Sequence, residues 1–259
     1  MLAVAWWFRE HPPHMKHSIH GTAVAVALFL FPAFTLTAAT PVQDGQAVAF
    51  LGDSITQGGW QNPAGYVRLI VAGFSNSGVN IKPVPAGISG HKSDQMLARL
   101  DRDVLSKKPD WMTLSCGVND VWHGEKGIPL DRYKTNITAI VEKCAQAGVK
   151  VVLLTSTPIG ENIANANNQK LAPYNDFLRA LAKEKKLLLA DLSADFAAKL
   201  KDRPADSKAN SLTSDGVHMN ATGNRIMALG VLRAFGLDEA QLKKAEESWM
   251  AAVKPPTAQ

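Results

Sequence analysis

Three side chains of this chain, far apart in sequence, could together perform acyl transfer. Ser54 follows the apolar run Val48–Leu51, and Asp215 and His218 lie far downstream in the sequence Asp215-Gly216-Val217-His218. A serine hydroxyl is a weak nucleophile until a base removes its proton. His218 can be that base, and Asp215, three residues earlier, can orient it. An Asp-Gly pair is also a common surface turn, so this reading depends on the serine and the turn occurring together.

The remaining histidines give no competing base and no metal site. The chain has seven histidines, of which only His91, His123 and His218 follow the apolar N-terminal segment described below. Only His218 follows a carboxylate that stands in an Asp-Gly pair, the sequence of a tight turn. These three histidines lack the regular spacing of metal ligands. We therefore expect neither a metal nor another cofactor.

Composition indicates one folded domain of ordinary size and gives no sign of a nucleic-acid partner. The chain has 259 residues, with 46% hydrophobic and 20% charged residues, as in ordinary globular proteins. The formal net charge is +5, and the basic residues are scattered rather than gathered in a stripe. A small-molecule or glycan ester is the expected partner.

The first 39 residues predict an upstream segment and a secretory signal peptide. A short basic start at Met15-Lys16-His17 precedes the apolar stretch Gly21–Ala39, which ends in small residues. We expect translation to start at Met15 and cleavage to occur near Ala39. An uncleaved membrane anchor is the alternative, because the stretch is nearly long enough to span a bilayer. Residues 40–259 would then form the domain, secreted or periplasmic and without stable membrane insertion.

Short apolar runs alternate with helical patterns along this domain. Such alternation predicts an α/β fold in which helices cover both faces of a parallel sheet. The five predicted strands are Val48–Leu51, Lys82–Pro85, Trp111–Ser115, Val149–Thr155 and Leu187–Asp191. The predicted helices are Gly65–Ser75, Ser93–Leu105, Leu130–Ala147, Asn168–Lys185 and Ala221–Phe235, with one more in the tail Asp238–Gln259.

The two cysteines are expected to be buried free thiols. Cys116 ends a predicted strand, whereas Cys144 lies in the last turn of the next helix. That helix runs back across the sheet, which separates the two residues by roughly 20 Å at 1.5 Å per helical residue. A disulfide requires a much shorter separation.

Two further loops offer hydrogen-bond donors at the same edge of the sheet. Gly87-Ile88-Ser89-Gly90 follows the second predicted strand, and Gly117-Val118-Asn119-Asp120 follows the third. Glycine lets the backbone approach a ligand and present its N–H group, and Asn119 offers a side-chain amide. With the backbone N–H of Ser54, these groups could stabilise an oxyanion.

In this order and context, Gly52-Asp53-Ser54, Gly90, Gly117-x-Asn119-Asp120 and Asp215-x-x-His218 resemble the SGNH, or GDSL-type, hydrolases. The resemblance covers about Val48 to Met227. It implies a three-layer α/β/α flavodoxin-like fold with a five-stranded parallel sheet, and a metal-free serine esterase or lipase. It assigns Ser54 as nucleophile, Asp215 and His218 as its partners, and Ser54 N–H, Gly90 N–H and Asn119 as the oxyanion hole.

The substrate is expected to be a short acyl ester, most simply an acetyl group on carbohydrate. The loops after the strands are short, which leaves no evident acyl tunnel, and tryptophans near the site suit a sugar ring. Possible substrate contacts are Trp60, His91, Trp122 and His123. Three alternatives remain open: a lysophospholipase or short-chain lipase, a glycan O-acyltransferase with the same triad, and a non-catalytic carbohydrate-binding protein.

Overall fold

The structure is a computed structural model that describes residues 40–201, 207 and 209–253. The predicted signal peptide and upstream segment, residues 1–39, lie outside the described residues. Cleavage near Ala39 and the start at Met15 therefore stay predictions.

A five-stranded parallel sheet forms the centre of the domain. Its strand order is β2-β1-β3-β4-β5, the order of flavodoxin-like folds. All four strand pairs are parallel, which confirms the predicted α/β fold and its five strands. The strands are β1 Ala47–Gly52, β2 Lys82–Gly87, β3 Trp111–Ser115, β4 Lys150–Leu154 and β5 Leu188–Ala190.

The helices fall into two groups by their mutual contacts, which makes a layer on each face of the sheet. One group joins α3 to α5, and α6 to α4 and α5; the other joins α2 to α1, α8 and α9, and α7 to α8. The helices are α1 Ser54–Gln61, α2 Tyr66–Asn76, α3 Ser93–Asp103, α4 Val118–Trp122, α5 Leu130–Gln146, α6 Ala166–Lys185, α7 Leu192–Leu200, α8 Ala221–Ala234 and α9 Glu239–Val253.

Strand sequences explain their places in the sheet. In β1, the apolar residues Val48–Leu51 are all fully buried, as expected of a central strand covered on both faces. In β2, Pro83 and Pro85 cannot donate to a neighbouring strand. They are tolerated because β2 pairs with β1 alone, at the edge of the sheet.

Some predicted boundaries were wrong. The helix α3 ends at Asp103, and a separate 3₁₀ turn, Leu105–Lys107, follows it. The helix α6 begins two residues before Asn168, because the Asn165 side chain accepts from the Asn168 N–H and caps the first turn. Sequence periodicity also gave no prediction of helices α1, α4 and α7, which are five to nine residues long.

Both cysteines are free and buried, which confirms the prediction. Burial raises the pKa of the Cys144 thiol to about 12, and it also raises the pKa of Cys116. Neither thiol is a nucleophile near neutral pH.

Candidate active site

Ser54 is the first residue of α1, directly after the end of β1. The turn between the two elements is tight, since a side chain at Gly52 would collide with Thr56. Asp53 caps the helix by accepting from the Ile55 N–H at 2.9 Å. The Ser54 hydroxyl and N–H are thereby held at the carboxyl edge of the sheet, where open parallel sheets bind ligands.

The structure brings Ser54, His218 and Asp215 together in one chain of hydrogen bonds. His218 Nε2 lies 2.9 Å from Ser54 Oγ, and His218 Nδ1 lies 2.6 Å from Asp215 Oδ2. A carboxylate can only accept, so Nδ1 carries the proton and Nε2 is left to accept from the serine hydroxyl. This tautomer is the one that a general base requires.

Asp215 also shapes the turn that carries His218. Its Oδ1 accepts from the N–H groups of Val217 at 3.0 Å and His218 at 2.8 Å. Gly216 has φ +94°, which a side chain would strain, so glycine is needed within this turn. Burial acts to raise the pKa of Asp215, but the hydrogen bonds from His218 and Val217 lower it to about 2. Asp215 is therefore ionised beside the imidazole.

Two backbone N–H groups and one amide lie where an oxyanion could be held. Within the described part of the chain, the Gly90 N–H donates to no acceptor. Ser54 lies in the first turn of α1, where N–H groups have no partner inside the helix. Asn119 reaches the same place, because its Nδ2 donates to the carbonyl of His91, the residue after Gly90, at 3.2 Å.

The Asn119 amide is shared with a buried carboxylate. Its Nδ2 also donates to Asp53 Oδ2 at 3.2 Å, and both bonds are at the long end of the normal range. Burial raises the pKa of Asp53 to about 6, while the Ile55 N–H acts in the opposite direction. Because these contacts are long, the amide can turn part of its donor capacity toward a substrate oxygen.

Two of the predicted substrate contacts, Trp122 and His123, are neighbours beside Asn119, whereas Trp60 lies apart on α1. Near Asn119, His123 Nε2 donates to Asn119 Oδ1 at 3.2 Å, and the exposed Trp122 ring lies 6.3 Å from the His123 ring. Trp60 lies six residues along α1 from Ser54, about 9 Å by helical rise. Its ring is covered on one face by the Arg68 guanidinium at 3.6 Å. Trp122 and His123 are therefore better placed than Trp60 to contact a substrate.

His91 is held from inside the protein. Arg99 Nε donates to His91 Nδ1 at 3.1 Å, so this nitrogen is unprotonated. Burial and the nearby Arg99 charge lower the His91 pKa. The ring is therefore neutral near pH 7 and has only Nε2–H left to offer a ligand.

Asp120 joins two helices of the site. Its Oδ1 accepts from the N–H and hydroxyl of Ser93 at 3.0 and 2.5 Å, and this fixes the start of α3 against α4. Burial raises the pKa of Asp120. Its other oxygen, Oδ2, accepts from the Cys116 thiol at 3.5 Å, so both oxygens have partners other than His218.

Sequence reasoning missed two residues that support the site. Arg99, on α3, is 4% exposed and donates to the carbonyl of Gly52 at 2.8 Å. Glu161, in the loop after β4, accepts hydrogen bonds from the segment that leads to Asp215. An arginine on the apolar Met96–Leu100 face of a helix was a signal for the first. For the second, the signal was a carboxylate after a strand that ends at the same edge.

The described residues contain neither a metal-binding cluster nor a membrane-spanning helix. Among residues 40–201, 207 and 209–253, no group of three or more His, Cys, Asp or Glu side chains could hold a metal ion. In the same part of the chain, no helix is both long and apolar enough to cross a membrane.

A protein-family model matches residues 50–226 of the chain. It describes the GDSL-like lipase/acylhydrolase family. The matched range begins within β1 and ends within α8, and it includes Ser54, Asn119 and His218.

Relatives of known name match nearly their whole length. An acetylxylan esterase from Geobacillus stearothermophilus is 29% identical over 219 residues, covering 76% of this chain and 97% of that protein. An uncharacterized lipoprotein, YqeF, from Bacillus subtilis is 24% identical, covering 79% of this chain and 95% of that protein. The crystal structure of the acetyl xylan esterase AlAXEase is similar at 36% identity, with a TM-score of 0.68, covering 73% of this chain and 98% of that one.

Proposed function

The chain belongs to the GDSL-like lipase/acylhydrolase family and is a carboxylic ester hydrolase, and we propose that it removes acetyl or other short acyl groups from carbohydrate through an acyl-enzyme on Ser54. The observation that carries the mechanism is the hydrogen-bonded series Ser54 Oγ, His218 Nε2, His218 Nδ1 and Asp215 Oδ2, at 2.9 and 2.6 Å.

In the acylation step, His218 Nε2 takes the Ser54 proton as Oγ attacks the ester carbonyl carbon. The carbonyl oxygen becomes an oxyanion, held by Ser54 N–H, Gly90 N–H and Asn119 Nδ2. As the tetrahedral intermediate collapses, the C–O bond to the sugar breaks and His218 gives its proton to the leaving alcohol. Asp215, ionised, stabilises the imidazolium that exists between these two transfers.

Water completes the reaction. His218 removes a proton from a water molecule, which attacks the acyl carbon of the ester on Ser54. The second tetrahedral intermediate uses the same three donors. Its collapse returns the proton to Ser54 Oγ and releases the short-chain acid.

The choice of substrate rests on the relatives and on one exposed ring. Two of the matched proteins are named acetylxylan esterases. In this chain, Trp122 is 44% exposed, next to His123, which contacts Asn119. A flat aromatic face beside the oxyanion donors suits a sugar ring that carries the acyl group.

We also propose that the enzyme works outside the cytoplasm, secreted or periplasmic, after cleavage of the leader near Ala39. The basic start and apolar stretch within residues 15–39 support this location. The match to a protein named a lipoprotein is consistent with it.

The test compares esters of increasing acyl length with acetylated xylo-oligosaccharides. We expect activity on 4-nitrophenyl acetate to exceed that on butyrate and octanoate, and acetate to be released from the oligosaccharide. Ser54→Ala should lower kcat by at least about 1000-fold, because the nucleophile is lost. The matched control is Ser106→Ala, an exposed serine in the 3₁₀ turn after α3.

Other outcomes would replace the proposal with a named alternative. Preference for octanoate would indicate a lysophospholipase or short-chain lipase. Acyl transfer to an added sugar faster than to water would indicate a transferase. Sugar binding that Ser54→Ala retains, without serine-dependent turnover of any ester, would indicate a binding protein.

A further inference from the structure

The loop after β4 forms a set of hydrogen bonds with the segment that leads to Asp215 and His218. Glu161 Oε1 accepts from Leu212 N–H at 2.7 Å and from the N–H and hydroxyl of Thr213, both at 2.8 Å. Glu161 Oε2 accepts from the N–H and hydroxyl of Ser211 at 2.7 and 2.9 Å. One carboxylate therefore fixes three consecutive residues of this segment.

The hydrogen-bond network that starts at Glu161 extends into the turn that carries the His218 imidazole. Thr213 Oγ1, which donates to Glu161, accepts from the Gly216 N–H at 3.1 Å. Thr213 also forms an isolated β-bridge with Met219, directly after His218. Between them, the Ser214 N–H donates to the His218 carbonyl at 2.8 Å. Residues 211–219 thus form an internally hydrogen-bonded turn, and residues 211–213 anchor it to Glu161.

A second contact from the same loop reaches the turn itself. The Gly160 N–H donates to the Gly216 carbonyl at 2.6 Å. The loop after β4 therefore holds the turn at two places: Glu161 binds residues 211–213, and Gly160 binds Gly216. The start of α8 also holds the turn, since Asn220 Nδ2 donates to the Ser211 carbonyl at 3.0 Å and Asn224 Nδ2 donates to the Met219 carbonyl at 3.1 Å. The loop after β4 is therefore one of two supports that set the position of His218 relative to Ser54.

The charge state suits this task. Burial acts to raise the pKa of Glu161, but the hydrogen bonds from Ser211, Leu212 and Thr213 lower it to about 2. Ionised carboxylates accept stronger hydrogen bonds than neutral acids do. Glu161 is therefore ionised near neutral pH and accepts these hydrogen bonds as a carboxylate.

We propose that Glu161 is a positioning residue. It holds the Asp215–His218 turn in the position at which His218 Nε2 forms a hydrogen bond with Ser54 Oγ. The inference rests on the proposed serine mechanism. Glu161 acts through the turn and touches no reacting atom. Its loss leaves all three members of the triad present but lets His218 move away from Ser54.

The experiment measures kcat and KM for 4-nitrophenyl acetate per active site, with sites counted by complete labelling with a serine-directed phosphonate and intact mass. For Glu161→Ala we expect kcat per site to fall by about 10- to 100-fold, since a displacement of about 1 Å can cost about 100-fold. KM should stay within about twofold, because substrate contacts are unchanged. The control Glu184→Ala removes an exposed carboxylate from α6.

Glu161→Gln keeps the test decisive if the alanine variant folds poorly. The glutamine oxygen can replace Oε1 and accept from Leu212 and Thr213, but its NH₂ group faces the Ser211 N–H. We expect an intermediate loss of kcat per site. A purely structural role would instead lower the labelled fraction and the melting temperature and leave kcat per site at the wild-type value, which would overturn the proposal. Wild-type protein that neither hydrolyses esters nor takes the label would refute the serine mechanism itself.

Discussion

At the scale of single residues, the site separates bond-making groups from groups that present the substrate. Ser54, His218 and Asp215 are joined by short hydrogen bonds, whereas Trp122 lies beside His123, which donates to Asn119. Changes at Trp122 should therefore affect binding of the sugar and leave the acyl chemistry intact.

This separation predicts a substrate-dependent effect of Trp122→Ala. We expect KM for an acetylated xylo-oligosaccharide to rise about tenfold, which corresponds to about 1.4 kcal/mol of lost binding. Values for 4-nitrophenyl acetate should be unchanged, because that ester has no sugar ring. Met250→Ala, which removes another exposed large side chain on the distant α9, is the matched control. Equal losses on both esters would show that Trp122 supports the fold and does not contact sugar.

Sequence analysis found the residues that bear recognisable chemistry and missed those that hold them. Ser54 and His218 stood out because the order of a nucleophile, oxyanion donors and a base carries information by itself. Glu161 lay in a loop where its partners, Ser211 to Thr213, are 50 to 52 positions away. Their backbone N–H groups are the same in every residue type, so no side-chain pattern marked them.

At the scale of elements, α3 joins the two strand ends that carry the proposed oxyanion donors. Arg99 donates to the carbonyl of Gly52 at the end of β1, and to that of Ala86 in β2, each at 2.8 Å. Its ion pair with Asp103 at 3.1 Å offsets the charge. The guanidinium thus gives two carbonyls a partner in a place that water does not reach.

Arg99→Met should destabilise the protein strongly. The substitution removes two buried hydrogen bonds from a charged donor, to the carbonyls of Gly52 and Ala86, and each such bond contributes about 1.5–3 kcal/mol. The Gly52 carbonyl still accepts from the Ile88 N–H at 3.1 Å, so the loss there is partial. Arg99→Lys should be less harmful, although an ammonium lacks the planar fork that serves both carbonyls. Urea unfolding measures the change. The control is Arg102→Met, on the same helix, where the arginine side chain is 73% exposed. A midpoint equal to that of the control would refute this account.

The strands were easier to predict than the short helices. The strands β1 and β3 are buried on both faces; β1 contains the continuous apolar run Val48–Leu51, and β3 has apolar residues at Trp111, Met112 and Leu114. The helices α1 and α4 contain five to eight residues, too few for a helical period to repeat. They form because Asp53 and Gly117, the N-cap residues that follow these strands, start each helix, and because tertiary packing stabilises short helices.

At the scale of the whole molecule, stability should fall in acid. The pKa values of Glu161 and Asp215 are both lowered to about 2 in the folded state. Such groups contribute stability above their ordinary pKa, and this contribution is lost as pH falls toward the folded value. Asp53 has the opposite sign, since its pKa is raised to about 6, and its contribution is lost as pH rises through that value.

Urea midpoints between about pH 5 and about pH 2.5 measure this dependence. We expect the wild-type midpoint to fall across the range, and that of Glu161→Gln to fall less, because one of the carboxylates with a lowered pKa is gone. Parallel curves for the two proteins would show that Glu161 does not contribute to acid sensitivity.

The 164 positions between Ser54 and His218 also have a consequence for how the protein matures. During synthesis the nucleophile emerges early, and its base follows only when most of the domain has been made. Closing so long a loop is slow compared with local helix formation. A partly made chain therefore carries the serine without the means to activate it. Esterase activity in a refolding or translation reaction reports completion of the domain, not the first appearance of secondary structure.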